Sequence, residues 1–341
     1  MIISRTPYRV SFFGGGTDYP AWYLEEDGAV LSTTIDKYIY LTCRILPPFF
    51  LPVRFRVIWR HVESVATIDD ILHPAVRAGL QHFGIGDATG LEIHYQGDLP
   101  ARSGMGSSST FAVGMIKCLM ALRGQMIGKQ DLAMQAIAFE QDVMKTCVGS
   151  QDQVAAAYGG LNVIRFHKGG QIHIEPVVLP PARSAQLQTN LVLLHTGIDR
   201  SASLVAAQVV EQMTRKNDML REMRGLVDNA LAVLTNGSDL DDFGRLLNET
   251  WLMKRTLSPQ IANSKIDQIY QIACDHGALG GKLLGAGAGG FMLFYIPAER
   301  RQELVDALSY YMFVPFHFEN EGSTLIYYDS KDNVSHGDAG H

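Results

Sequence analysis

The chain has 341 residues, of which 47% are hydrophobic and 19% charged, an ordinary globular composition with room for two domains or one large one. Its formal charge is -6 and its pI is near 6.0, so there is no basic field for nucleic acid or an anionic membrane, and any anion must be held by a local cluster. Cys43, Cys118, Cys147 and Cys274 are scattered without C-x-x-C or Cys/His spacing, which argues against a disulfide framework or structural zinc, and neither a secretory signal nor a membrane-length apolar run is expected.

In chain order, Arg9 to Phe13, after Pro7, predicts a strand that stops at the triple glycine Gly14 to Gly16, and Ala29 to Cys43 alternates well enough for one or two more. Pro47, Pro48 and Pro52 mark a turn before a strand near Val53 to Trp59, and Leu91 to Tyr95 is another short strand. Phe111, Met115, Cys118, Leu119 and Leu122 recur at helical spacing, with Ser107 to Ser109 as capping residues. A second helix is expected from Gln130 to Cys147, where Glu140 lies beside an apolar stripe and sits half in a cleft. Ser150 to Gln153 cap a short run ending at Gly159-Gly160, Leu161 to Phe166 with Ile172 to Val178 reads as a β-pair, and Pro180-Pro181 reads as a boundary.

Beyond it the pattern predicts a strand at Leu191 to His195 and helices near Ser203 to Leu234, Asp241 to Leu257 and Gln260 to His276. A glycine-rich segment, Gly280 to Gly290, leads into a strand at Phe291 to Tyr295, a helix near Glu299 to Met312 and a last strand near Ser323 to Tyr328. The tail from Asp329 is polar and expected to be mobile. No repeat of fixed period is present, which excludes a solenoid or propeller.

The stretch from Gly97 to Ser109 carries the chemistry. Gly104 and Gly106 let backbone approach a polyanion, and successive N–H groups opening the helix supply donors at the positive end of its dipole. The Walker A spacing and the G-x-G-x-x-G fingerprint are both absent from this loop, so it belongs to another phosphate-binding design, with a nucleoside triphosphate as its first expected ligand.

Three segments together resemble the GHMP kinase superfamily: Arg5 to Asp18, the Gly97 to Ser109 loop, and Lys282 to Gly290. The resemblance covers essentially the whole chain. It implies an α+β fold with a ribosomal S5 domain 2-like N-terminal domain (1–182), a ferredoxin-like C-terminal domain (183–330) and a polar tail (331–341), with ATP between the domains. Gly14-Gly15-Gly16 stands where galactokinases carry Gly-Glu-His, which disfavours galactose. Gly14 to Pro20, Gly28 to Tyr38 and Trp251 to Ser258 look like the heptose 7-phosphate kinase branch, which implies ATP-dependent phosphorylation of the anomeric hydroxyl of D-glycero-D-manno-heptose 7-phosphate to the 1,7-bisphosphate, feeding nucleotide-activated heptose. Fucokinase-like enzymes share much of the pattern. A catalytically inactive nucleotide-binding regulator of the same fold is the competing class, disfavoured because Arg9, Ser108, Glu140 and Asp152 are all present.

By that resemblance, Gly104, Met105, Gly106, Ser107, Ser108 and Ser109 bind ATP, Ser108 and Glu140 hold Mg2+, and Asp152 meets the attacking hydroxyl, as base or as orienting acceptor, with Arg9 as its partner. Taken singly, Asp152 could be a helix N-cap, Arg9 a surface ion pair and Glu140 a solvated helix-edge charge. Substrate-binding expectations are Gly15, Gly16, Thr17 and Asp18 for sugar hydroxyls, Gly287 in the last glycine run, and Lys254 with Arg255 for a second phosphate, ahead of Arg102 and Lys37. The expected partner is a small sugar phosphate, with no nucleic acid and no membrane, in a cytoplasmic protein for which a homodimer stays open.

Overall fold

A computed structural model describes residues 1–101, 103–198, 210–211, 216–287 and 289–329. The chain forms a mixed α+β fold built on two sheets. The large sheet runs in the order β13-β1-β2-β5-β3-β4, with β12 and β6 also on β2 and β7 on β6. Its strands are β1 (Ile2–Phe13), β2 (Gly28–Ile45), β3 (Phe55–Ile58), β4 (Val62–Val65), β5 (Leu91–Gly97), β6 (Asn162–Phe166), β7 (Ile172–Pro176), β12 (Phe318–Glu319) and β13 (Thr324–Tyr328). The small sheet, in the order β11-β8-β10-β9, comprises β8 (Leu191–His195), β9 (Gly280–Leu283), β10 (Phe291–Tyr295) and β11 (Met312–Phe313). Every described pairing is antiparallel except β3 with β5.

β1 starts well before the expected Arg9 and passes straight through Pro7. A proline inside a sheet lacks a ladder donor. Here β13 pairs only with Ile2 to Arg5, so Pro7 lies beyond its reach, and the ladder with β2 shifts register between Pro7 and Tyr8.

The helix Ser107–Leu122 lies against β1 and β2 with Phe111, Val113, Met115, Ile116, Cys118, Leu119 and Leu122 buried. It is apolar nearly all round, as a helix enclosed by other elements must be. Each such side chain contributes about 1.5–3 kcal/mol relative to exposure. The two sheets share a core: Phe243 meets Phe12 and Phe13 edge-on at centroid distances of 5.3 and 5.0 Å, and Lys282 of β9 donates to the Phe12 carbonyl at 2.7 Å.

Four local expectations need correction. The helix Ser107–Leu122 is N-capped by Gly106 with no side-chain cap, because the serine hydroxyls are engaged elsewhere. The expected helix from Gln130 to Cys147 is Lys129–Ala138 followed by a π-helical turn, Phe139–Val143, closed by Met144 N–H to Phe139 C=O. That extra residue in the turn rolls Glu140 inward, so it is buried, not half in a cleft. The helix Pro181–Thr189 was not expected; it opens at the Pro180-Pro181 boundary with proline where a helix has no N–H to satisfy. The helix Pro74–His82 was not anticipated. Of the long helix predicted from Ser203, Asn217–Thr235 is present; residues 199–209 and 212–215 lie outside the described residues, as do Arg102 and the tail from 330.

Candidate active site

The cavity between the sheets has a volume of about 520 Å3 and is lined by residues from all three sequence segments. Arg9, Ser11, Gly15, Gly16 and Asp18 come from β1 and the turn after it. Gly104, Gly106, Ser107, Ser108 and Ser109 come from the loop and first turn of its helix. Lys145 to Gly149, Gln151 and Asp152 form a third wall, and Lys254, Lys282 and Gly285 a fourth.

Arg9 and Asp152 pair bidentately, Nε to Oδ1 at 2.6 Å and Nη2 to Oδ2 at 2.7 Å, while Arg9 Nη1 donates to the Gly104 carbonyl at 2.7 Å. The pair is therefore clamped to the glycine loop. Its fork geometry suits a guanidinium and a carboxylate and would be lost with lysine. Asp152 sits in the first turn of the helix Gln151–Tyr158, one residue past the position next to the Ser150 cap, so it is not the N-cap that local sequence allows. Nor is Arg9 a surface ion pair, with its side chain 4% exposed.

Gly106 has φ +77°, the left-handed region, and a Cβ there would lie 3.2 Å from Asp152 Oδ2 and 3.4 Å from Arg9 Cγ. The loop backbone thus lies directly on the ion pair, which only glycine permits. At Gly104 a Cβ would fall 2.5 Å from the Leu284 carbonyl oxygen, so the third glycine segment packs on the first loop.

Glu140 lies behind the loop and does not itself line the cavity. Ser108 Oγ donates to its Oε1 at 2.6 Å, and Ser109 Oγ and Gln153 Nε2 donate to its Oε2 at 2.5 and 2.6 Å. Burial pushes its carboxyl above the ordinary range despite those donors, and it forms no ion pair with any described residue. Such a carboxylate lacks a cation. No cluster of three or more His, Cys, Asp and Glu able to hold a metal occurs among the described residues. Mg2+ does not need one, because it keeps waters and phosphate oxygens and takes only one or two protein ligands. Ser108 lines the cavity and hydrogen-bonds Glu140 behind it, so together they offer a hydroxyl and a carboxylate of the hard-oxygen type that magnesium takes.

Asp18 accepts from Gly16 N–H and Gln151 Nε2, both at 2.9 Å, and its burial raises the carboxyl pKa. Other expected residues fall elsewhere. Met105 is buried, and its carbonyl accepts from Arg9 N–H. Thr17 is buried, its hydroxyl 2.8 and 3.0 Å from the carbonyls of Gly14 and Ala29 and accepting from Ala29 N–H, so it shapes the turn without lining the cavity. Gly287 packs on Ile261. Arg255 pairs with Asp267 and lies over the Trp251 ring, away from the cavity, which parts it from Lys254. Lys37 pairs with Asp36.

Sequence reasoning missed Ser11, Lys145, Gln151, Gln153 and Lys282. Gln151 and Gln153 flank Asp152, and that spacing could have flagged them; Lys282 stood inside the third glycine segment. Lys145 has φ 53°, a conformation no sequence signal announces for lysine.

Comparison with known proteins bears on what this cavity belongs to. Residues 70–160 match the GHMP kinases N-terminal domain and residues 228–313 the GHMP kinases C-terminal domain, together more than half of the chain. The chain is 27% identical over 315 residues to the D-glycero-alpha-D-manno-heptose 7-phosphate kinase of Campylobacter jejuni, covering 90% of this chain and 93% of that protein. It is 28% identical over 320 residues to the bifunctional fucokinase/GDP-fucose pyrophosphorylase of Arabidopsis thaliana, covering 87% of this chain and 30% of that one. The crystal structure of a D-glycero-D-manno-heptose 1-phosphate kinase from Bacteroides thetaiotaomicron superposes with a TM-score of 0.77 at 22% identity, covering 95% and 98% of the two chains. With both family domains matched in order and the same fold over nearly its full length, the chain belongs to the GHMP kinase family and is a phosphotransferase acting on an alcohol group.

Proposed function

We propose that the chain transfers the terminal phosphoryl group of ATP to the anomeric hydroxyl of D-glycero-D-manno-heptose 7-phosphate, giving the 1,7-bisphosphate. One observation carries the chemistry: the Arg9–Asp152 pair is clamped against the Gly104 to Ser109 loop inside one cavity. In this reading the N–H groups of Gly104 to Ser109 hold the ATP phosphates, and Ser108 with Glu140 holds Mg2+. Magnesium, when bound, neutralises charge on the phosphate oxygens. Asp152 receives the hydrogen of the attacking hydroxyl, as acceptor or base, and Arg9 both fixes that carboxylate and offers charge to the group in transit. Gly15, Gly16 and Asp18 receive the sugar, and Lys254 its remaining phosphate; Met105, Thr17, Gly287 and Arg255 support these walls from behind.

Residues 1–182 are proposed as the nucleotide-binding unit and 183–330 as its companion, although β12 and β13 hydrogen-bond into the large sheet. Among the described residues no helix is long and apolar enough to cross a membrane. The proposed enzyme is cytoplasmic, with a homodimer left open. The heptose reading draws on the similarity to the Campylobacter jejuni enzyme over 90% of this chain. A fucokinase-like reading draws on the Arabidopsis thaliana similarity. ADP release with Mg-ATP and a panel of heptose 7-phosphate, fucose, galactose and mevalonate separates them. Turnover on heptose 7-phosphate supports the proposal, and turnover only on an unphosphorylated sugar sinks it.

A further inference from the structure

Two lysines on the fourth wall of the cavity are not explained by the phosphate loop or by the Arg9–Asp152 pair. Lys254, on the helix Asp241–Leu257, is 9% exposed, and Lys282, on β9, is 3% exposed. Lys254 Nζ donates to the Leu283 and Gly285 carbonyls, and Lys282 Nζ to the Phe12 carbonyl. Neither forms an ion pair with a described carboxylate. An ammonium has three donors, so one N–H on Lys254 and two on Lys282 have no protein acceptor among the described residues. Burying such groups without a counter-ion is costly, and two together are costlier.

The charges around them do not balance either. Arg9 is paired with Asp152, and Asp18, held by neutral donors from Gly16 and Gln151, is the one carboxylate left to face both lysines. That leaves two buried amines against one carboxylate, with N–H groups that no described protein acceptor takes. We propose that Lys254 and Lys282 form a two-ammonium seat for a phosphate oxyanion, supplied by the acceptor's phosphomonoester or by the nucleotide. This rests on the kinase reading above, and it adds Lys282 to the site and makes Lys254 part of a pair.

The titration behaviour agrees with the geometry. Burial, with Arg9 adding repulsion against the pull of Asp18 and Asp152, brings Lys254 down to about 7. Burial and then Lys254 and Arg9 push Lys282 well below its ordinary value, opposed by Asp18. A bound phosphate dianion reverses this by favouring the ammonium forms, so its arrival draws protons from solvent.

The test is calorimetric titration of the full chain and of Lys254→Met and Lys282→Met with a non-hydrolysable ATP analogue, heptose 7-phosphate, the unphosphorylated heptose and inorganic phosphate. Each is run near pH 8 in two buffers of different ionisation enthalpy, with thermal melting to confirm folding. Lys254→Met is expected to weaken a phosphate-bearing ligand by about tenfold or more, equivalent to ~1.4 kcal/mol, and to abolish part of its proton uptake. Loss on heptose 7-phosphate alone makes the acceptor's phosphate the occupant; loss on the nucleotide alone makes it the donor's. Should the unvaried protein bind no heptose 7-phosphate while Lys254→Met still weakens the nucleotide, the substrate reading fails and the anion seat stands. Unchanged affinity and proton uptake for every phosphate ligand in folded variants, or equal loss for the phosphorylated and unphosphorylated sugar without loss for the nucleotide, overturns the seat.

Discussion

Replacing Asp152 with Asn keeps the shape of the side chain and removes the charge that Arg9 grips. In the native pair two charge-assisted hydrogen bonds, at 2.6 and 2.7 Å, hold the carboxylate. An asparagine can accept only one of them, and its amide N–H turns toward a guanidinium N–H. A wholly buried pair broken in this way costs about 3–5 kcal/mol. Here the Asp152 side chain is 22% exposed and the Arg9 side chain 4%, so one end of the pair is screened. Arg9 also keeps the Gly104 carbonyl, so the cost falls to about 2 kcal/mol, within the range for hydrogen bonds to charged groups. For a chain of 341 residues that lowers Tm by roughly 3 °C. Turnover falls much further, by about 10²- to 10⁴-fold, because the acceptor for the attacking hydroxyl is lost along with its alignment. ATP affinity is retained or improved, since Arg9 is no longer neutralised by a carboxylate. Steady-state kinetics with ATP titration and a melting curve test all three. A variant that keeps kcat within about threefold of the parent would refute the placement of Asp152 at the reacting hydroxyl.

Gly106→Ala puts a side chain in the left-handed region and a Cβ 3.2 Å from Asp152 Oδ2. It should cost about 1–2 kcal/mol of stability and lower kcat more than it raises the KM for ATP, and unchanged kinetics would count against the loop's contact with the ion pair. Glu140→Gln tests the buried carboxylate by pH. Burial raises Glu140 above its ordinary value of 4.5, so its contribution to stability is complete below that value and is lost as pH rises through the raised one. Without magnesium the variant should therefore melt at or above the parent near pH 8, an advantage that shrinks near pH 5, while losing magnesium-dependent turnover; a variant less stable near pH 8 would show that the three donors outweigh the burial. Trp251→Ala removes a fully buried side chain from the helix that carries Lys254 and should cost about 3–5 kcal/mol in denaturant unfolding, with a loss below ~1 kcal/mol contradicting its place in the core.

Sequence alone marked the glycine-rich segments, because glycine runs and hydroxyls that open an apolar helix leave local marks. The glycine loop from Gly104 to Ser109 was legible in this way, and so were most of the longer strands, whereas Arg9 and Asp152 were marked out only by the resemblance to the family. The end of β1, most of β2 and the long buried helix could be read from their alternation and their apolar density. What lay outside the sequence was everything set by contacts between distant segments. The π-turn that carries the buried Glu140 has no local mark in Phe139 to Val143, and it packs against the loop helix. Likewise Lys254 and Arg255 are neighbours in sequence but point to different surroundings, one to the cavity and one to Asp267. A helix turns successive side chains by about 100°, so adjacency along the chain does not imply a shared pocket. Only the meeting of two sheets, with β9 against Phe12 and Gly285 against Gly104, decided which charges face one another and which are left without a partner.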